Sequence, residues 1–227
     1  MNILSAGAAK GLLQTVAARE GIDFNGEFGA VGAMRERLND GAACDLIVLT
    51  DKIIAQLAAS GVVVTDTVTA IGKVRTGVAI PGGATAARVD TTASLNQLLA
   101  NASRIYFPDP ERATAGIHFM KLLTELGLAE SHSARFATYP NGATAMRAMA
   151  DAGDVRAVGV TQCSEILYTE GVQLVGALPG EFGLETVYSA ALTANCANHN
   201  AAAHLLESLA AARTSLMRIE AGFETVT

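Results

Sequence analysis

The chain has 227 residues, of which 50% are hydrophobic, 17% charged and 5% aromatic, a charge-poor and apolar balance that excludes a disordered chain. Its longest uncharged apolar runs, such as Gly61-Val62-Val63-Val64, fall well short of the ~18–20 residues of a membrane helix, so no membrane insertion is expected. With 16 Lys+Arg against 22 Asp+Glu, a net charge of −6 and no basic cluster, no nucleic-acid partner is expected either, while a small anionic ligand stays open because a buried site needs only local donors.

Apolar runs and helical patterns alternate from the first residue. Ile3 to Ala6 reads as a short strand, followed by a helix with Leu12, Leu13 and Val16 at core spacing that closes near Gly21. Phe24 to Val31 reads as a strand, Met34 to Leu38 as a helix, and Cys44 to Leu49 as a strand buried on both faces. Thr50-Asp51 is expected to cap a helix over Lys52 to Ala59, and Val68 to Ile80 reads as a long strand. The rhythm then restarts with helix Thr92 to Ala100, strand Arg104 to Phe107, helix Thr114 to Leu126, strand Arg135 to Thr138 and helix Ala143 to Ala150. Strand Ala157 to Thr161, a short helix around Ser164 to Leu167, strand Val172 to Leu178 and a long strand Leu184 to Thr193 follow. Asn200 to Ala221 reads as one alanine-rich amphipathic helix whose apolar stripe is Leu205, Leu206, Leu209 and Leu216.

This alternation predicts an α/β fold with mainly parallel, covered sheets. The two long strands bracket a middle block, which predicts two lobes joined by two crossover strands, with residues 80–186 inserted into a lobe made of residues 1–79 and 187–227. The cleft between such lobes is the expected ligand site.

Four strand-to-helix loops consist of small residues: Ser5 to Ala9, Gly29 to Gly32, Ala113 to Gly116 and Tyr139 to Gly142. Bare amides at a helix start suit a carboxylate, phosphate or oxyanion, although glycine also serves a turn for its own sake. The spacing matches no Walker-type phosphate loop, no dinucleotide loop and no GxSxG elbow. His118, His132, His199 and His204 have no metal-ligand spacing, so neither a metal nor a cofactor is expected. His199 and His204 read as solvated or capping, whereas His118, one turn beyond Thr114-Ala115-Gly116, stands where it touches ligand or else lies on the helix surface or in the core. Arg112 reads either as a bidentate carboxylate partner or as a solvated arginine. Cys44, Cys163 and Cys196 are odd in number and far apart, so no disulfide framework is expected, and Cys163 reads as a small buried residue. No signal-peptide pattern opens the sequence, which implies a cytoplasmic protein as it stands, or a periplasmic one if this is a mature form.

Several segments, in their order, resemble the periplasmic molybdate-binding protein family of the type 2 solute-binding fold. Cys44 to Asp51 is similar to that family's ADV-hydrophobic-SAD strand and turn, Ala115-Gly116-Ile117 to its PAG helix start, Val158 to Glu165 to its GIVY.SDA segment, and Asn198 to Phe223 to its closing helix. The resemblance covers essentially the whole chain and implies a two-lobed binding protein for a small anion, with an ABC permease as partner if it is exported. It also implies serine hydroxyls in the first two loops and a tyrosine in the third segment, yet Gly7 and Ala8, Ala30 and Val31, and Gln162 stand there instead. Missing donors of this kind cost about 1–3 kcal/mol each in a buried anion site, so molybdate is not the expected ligand. Ser5 and the surviving loop amides, with Thr161, Gln162, Asn141, Arg112 and Tyr139, suit a planar or extended organic anion, a di- or tricarboxylate. The chain is similar in kind to the aconitate isomerases as well, which implies the alternative of a cofactor-free 1,3-proton shift on an unsaturated tricarboxylate. His118, Tyr139 or Glu165 would then be the base, with Glu165 otherwise capping the short helix after Cys163.

Overall fold

Strands and helices alternate because apolar runs of four or five residues are separated by amphipathic stretches two to three turns long. The computed structural model describes residues 1–226. In chain order the elements are β1 (Asn2–Ala6), α1 (Lys10–Glu20), β2 (Asn25–Gly29), α2 (Val31–Asn39), β3 (Leu46–Thr50), α3 (Asp51–Ala59), β4 (Thr69–Pro81), α4 (Thr92–Asn101) and β5 (Ile105–Pro108). They continue with α5 (Thr114–Glu125), α6 (Leu128–Ser131), β6 (Phe136–Tyr139), α7 (Gly142–Ala152), β7 (Val158–Gln162), α8 (Cys163–Leu167), β8 (Val172–Ala177), β9 (Glu185–Leu192), α9 (His199–Ala210) and α10 (Ser215–Glu220).

The chain divides into two units, one comprising Met1–Val74 with the chain from Thr186 onward, the other Arg75–Glu185. In the first unit β1 pairs in parallel with β2 and β3, and β3 pairs antiparallel with β9. The Leu46-Ile47-Val48-Leu49 run is wholly buried, as a strand covered on both faces must be. Leu12, Leu13 and Val16 of α1 and Leu205 and Leu209 of α9 are buried as well.

In the second unit β5 lies in parallel between β6 and β7, while β4 runs antiparallel to β7 and β8. The pleat of β5 sends Ile105 and Phe107 to one face, against Phe119, Leu122 and Leu123 of α5. It sends Tyr106 to the other, against Ala145, Met146 and Met149 of α7. Phe107 meets Phe119 and Phe136 edge-on at 5.2 and 5.5 Å, the favoured aromatic geometry. Because β5, β6 and β7 run in parallel, the starts of α5, α7 and α8 emerge at one edge of this sheet.

Two expectations need correction. Thr50 makes no side-chain cap; α3 begins at Asp51, whose carboxylate accepts from the Ser189 hydroxyl of β9 at 2.7 Å. The C-terminal helix is broken. Ala211 is extended (φ −61°, ψ 148°), and Leu216 of the separate α10 is exposed instead of continuing the apolar stripe. The break persists because its carbonyls find other donors: Thr214 Oγ1 donates to Ser208 O at 2.6 Å, and Arg218 Nη1 donates to Leu209 O and Ala211 O at 2.8 and 2.9 Å.

Candidate functional site

A helix start leaves its first amides without intrahelical partners, and how each start satisfies them separates a structural cap from a binding site. Helix α4 closes its own start with a Thr91–Ser94 capping box. Three of the small-residue loops do not. The turn after β1 begins at Ala6, α2 at Ala30 and α5 at Ala113, and none of these N-caps has a side chain able to accept a hydrogen bond. The amides of Ala8, of Val31, Gly32 and Ala33, and of Thr114, Ala115 and Gly116 have no acceptor among the described residues, while the Ala9 amide closes the 3-10 turn after β1. Ala8, Ala115 and Gly116 are buried. Buried amides are almost always paired, so these donors are open to an acceptor from outside the chain, solvent or ligand.

The remaining candidates fall out as follows. Ser5 is buried and donates its hydroxyl proton to Ala6 O at 2.9 Å. Gly7 opens the helical turn after β1, and Val31 opens α2. The Gly116 backbone lies so close to the end of β5 that a Cβ there would stand 2.3 Å from the carbonyl oxygens of Pro108 and Asp109. Its glycine therefore serves close backbone packing as well as the bare helix start. Arg112 is exposed, in a turn where Asp109 Oδ1 accepts from the amides of Glu111 and Arg112 at 2.8 and 3.1 Å.

The fourth loop is different. Asn141 is the N-cap of α7, and its Oδ1 accepts from Thr144 N and Thr144 Oγ1, both at 2.9 Å. The first amides of α7, from Gly142 and Ala143, go to the carboxyl of Glu165, which also receives the Gln162 amide and the Thr161 hydroxyl at 2.5 Å. Burial holds this carboxyl above the usual range, with the Thr161 hydroxyl and the three amides opposing the rise. Glu165 thus caps its own short helix, whose N-cap amide (Gln162) it accepts, and caps α7 as well. Thr161 and Gln162, both buried, sit at the end of β7 around it.

The other two groups weighed as bases are also engaged. His118 is half-buried and donates from Nε2 to Phe182 O at 2.8 Å, which leaves Nδ1 as its basic nitrogen. The Tyr139 ring stacks on Tyr106 at 6.1 Å and 14°. Two groups escaped the sequence reading. Thr76 pairs with Gln162 across β4 and β7, and Ser164 follows two residues beyond Gln162; both hydroxyls are buried without a hydrogen-bond partner among the described residues. An isolated hydroxyl carries no sequence signal of that kind. Cys163 packs against Gly77, where a Cβ would stand 2.5 Å from its sulfur.

At the opposite edge of the first unit's strands lies a cavity of about 810 Å³ whose lining includes Asn2, Cys44, Asp45, Thr193 and Asn195. Its one buried carboxylate is already satisfied. Burial pushes Asp45 up, but the amides of Asn2, Asn198 and Ala197 and the Asn198 side chain outweigh it and hold the group at about 2. Burial pushes the Cys44 thiol up to about 12, so it is inert near neutral pH. Among the described residues no group of three or more His, Cys, Asp or Glu side chains is arranged to hold a metal, and no helix is long and apolar enough to cross a membrane.

Comparison with known proteins accords with this architecture. Residues 2–224 match the family model described as bacterial extracellular solute-binding protein. An aconitate isomerase of Pseudomonas sp. is 25% identical over 179 residues, which is 78% of this chain and 66%, just short of two thirds, of the enzyme's own length. Among solved structures, the periplasmic molybdate-binding protein of Azotobacter vinelandii matches with a TM-score of 0.78 at 17% identity over 100% of both chains. The sulfate-binding protein SubI of Mycobacterium tuberculosis H37Rv matches with a TM-score of 0.70 at 16% identity over 100% of this chain and 86% of that one. At these identities the structural matches establish the fold, a periplasmic-binding-protein architecture of mixed α/β type.

Proposed function

We propose that this chain, which belongs to the bacterial extracellular solute-binding protein family, binds a small organic anion, a di- or tricarboxylate rather than molybdate. The observation that carries the reading is the set of three helix starts with alanine N-caps and bare amides, after β1 and at α2 and α5. Each suits a carboxylate, whose two oxygens accept from adjacent amides on the positive end of a helix. A compact tetrahedral oxyanion needs donors on all sides. Gly7, Ala8, Ala30 and Val31 carry no hydroxyl, and the Ser5 proton is committed to Ala6 O. Binding to the folded state alone raises the melting temperature, by an amount set by ligand concentration over Kd. Thermal-shift screening at millimolar concentrations is expected to give stabilisation by succinate, citrate or aconitate and little by molybdate or sulfate. A larger shift with molybdate sinks the proposal.

A second reading, an isomerase acting by allylic proton shift, is favoured by the 25% identity to an aconitate isomerase. The commitment of the Glu165 carboxyl to three amides and the Thr161 hydroxyl weighs against that residue as the base. Incubation with cis- or trans-aconitate in D₂O separates the two readings. Interconversion or deuterium uptake at the allylic carbon supports the enzyme, and binding without either supports the binder alone.

A further inference from the structure

Among the four small-residue helix starts, α7 alone is already filled, and what fills it has the chemistry of a ligand. Glu165 is only 5% exposed, and each group recorded as bonded to its carboxyl is a donor: the amides of Gly142, Ala143 and Gln162 and the hydroxyl of Thr161. Such a set is what a bound oxyanion asks for. The backbone has been cleared to admit it. A Cβ on Gly142 would stand 1.9 Å from Thr161 Oγ1 and 2.1 Å from Glu165 Oε2, so the start of α7 accommodates this carboxyl only as glycine.

We propose that Glu165 is a resident anion, a side-chain carboxylate occupying the anion position at the start of α7 and thereby a specificity-determining residue that withholds this position from the ligand. The ligand then has α5 as its one bare helix start among the α5, α7 and α8 starts at this sheet edge, because Gly142 and Ala143 have no amide left to give and α8 is a short turn. The occupancy stands by itself; the consequence for ligand choice rests on the carboxylate-binding reading above.

Replacing Glu165 by alanine removes a CH₂–COO⁻ fragment, which is the skeleton of acetate, and leaves three amides and a hydroxyl facing the space. Glu165→Ala is expected to lower the melting temperature by roughly 6–12 °C. Sodium acetate at 100 mM is expected to restore about 3–5 °C of that loss, formate less and propionate less still, while the parent protein moves by less than about 1 °C. Acetamide, of the same size without the charge, is expected to restore little. Equal recovery with acetamide, or no recovery with acetate, overturns the resident anion. If Glu165→Ala does not fold, Glu165→Gln serves. It fills the space but turns an NH₂ toward donors, so it is expected to melt several degrees lower without an acetate response, and stability equal to the parent overturns the proposal. Ligand choice is read by titrating the alanine variant with succinate and with citrate. The expected gain is about tenfold toward the more highly charged anion, and an unchanged ranking overturns the specificity role. Acetate rescue in the variant alongside no succinate response in the parent refutes the ligand reading and leaves the resident anion standing.

Discussion

Asp45 is enclosed yet ionised, and the reason is local. Three backbone amides and the Asn198 side chain surround one carboxylate, tying the start of β1 and the segment before α9 to the end of the 40–45 loop. Its value near 2 lies below the 3.8 of a free aspartate, so the stability it contributes is complete above about pH 4 and is lost as the pH falls toward 2. Asp45→Asn is expected to lose roughly 2 kcal/mol of unfolding free energy at pH 7, with the difference closing near pH 2; urea melts at the two pH values measure it. Thr76 is the opposite case, a hydroxyl buried with nothing to bond among the described residues. Thr76→Val keeps the shape and removes an unpaired polar group, so the ligand-free protein is expected to gain about 1 kcal/mol in the same melts. A loss of that size would mean that the hydroxyl has a partner after all. Neither situation was legible in the sequence, because Asp45 meets donors 43 and more than 150 positions away, and the Thr76 hydroxyl meets no partner among the described residues.

Helix starts are the elements on which the proposed function turns, and here the sequence was partly readable. Small residues after each strand located all four loops, and alanine rather than Thr or Asn at three N-caps is visible in the chain itself. What stayed hidden was the occupant of the fourth. Glu165 reads as the cap of its own short helix, and it does accept the Gln162 amide there, but its further partners Gly142 and Ala143 belong to the preceding helix, beyond the near neighbours that sequence patterns couple. The end of α9 was hidden for the same reason: no glycine or proline marks Ala211, and the bonds from Thr214 and Arg218 that hold the turn exist only after folding. The α5 start also carries a packing demand. Gly116→Ala would drive a methyl to 2.3 Å from two backbone carbonyl oxygens. It is expected to cost about 3 kcal/mol in urea unfolding and to abolish anion-induced stabilisation, since the helix start must retreat from the end of β5. A variant of parent stability would show that this close approach is not needed.

For the molecule as a whole, the α/β class was legible because covered strands read as unbroken apolar runs, Leu46 to Leu49 above all, between helices with apolar stripes. Each unit proves to be a parallel core flanked by antiparallel partners, β9 in one and β4 with β8 in the other. The net charge of −6 is no obstacle to an anion ligand, because helix-start amides supply fixed positive ends where the ligand's charge would sit. That is the central claim, and amide NMR tests it most directly. On titrating ¹⁵N-labelled protein with succinate or citrate, the amides of Ala8, of Gly32 and Ala33, and of Ala115 and Gly116 are expected to shift downfield as they gain an acceptor, while those of Gly142 and Ala143 stay in place. Shifts confined to Gly142 and Ala143, or a stronger response of all these amides to molybdate, would contradict it.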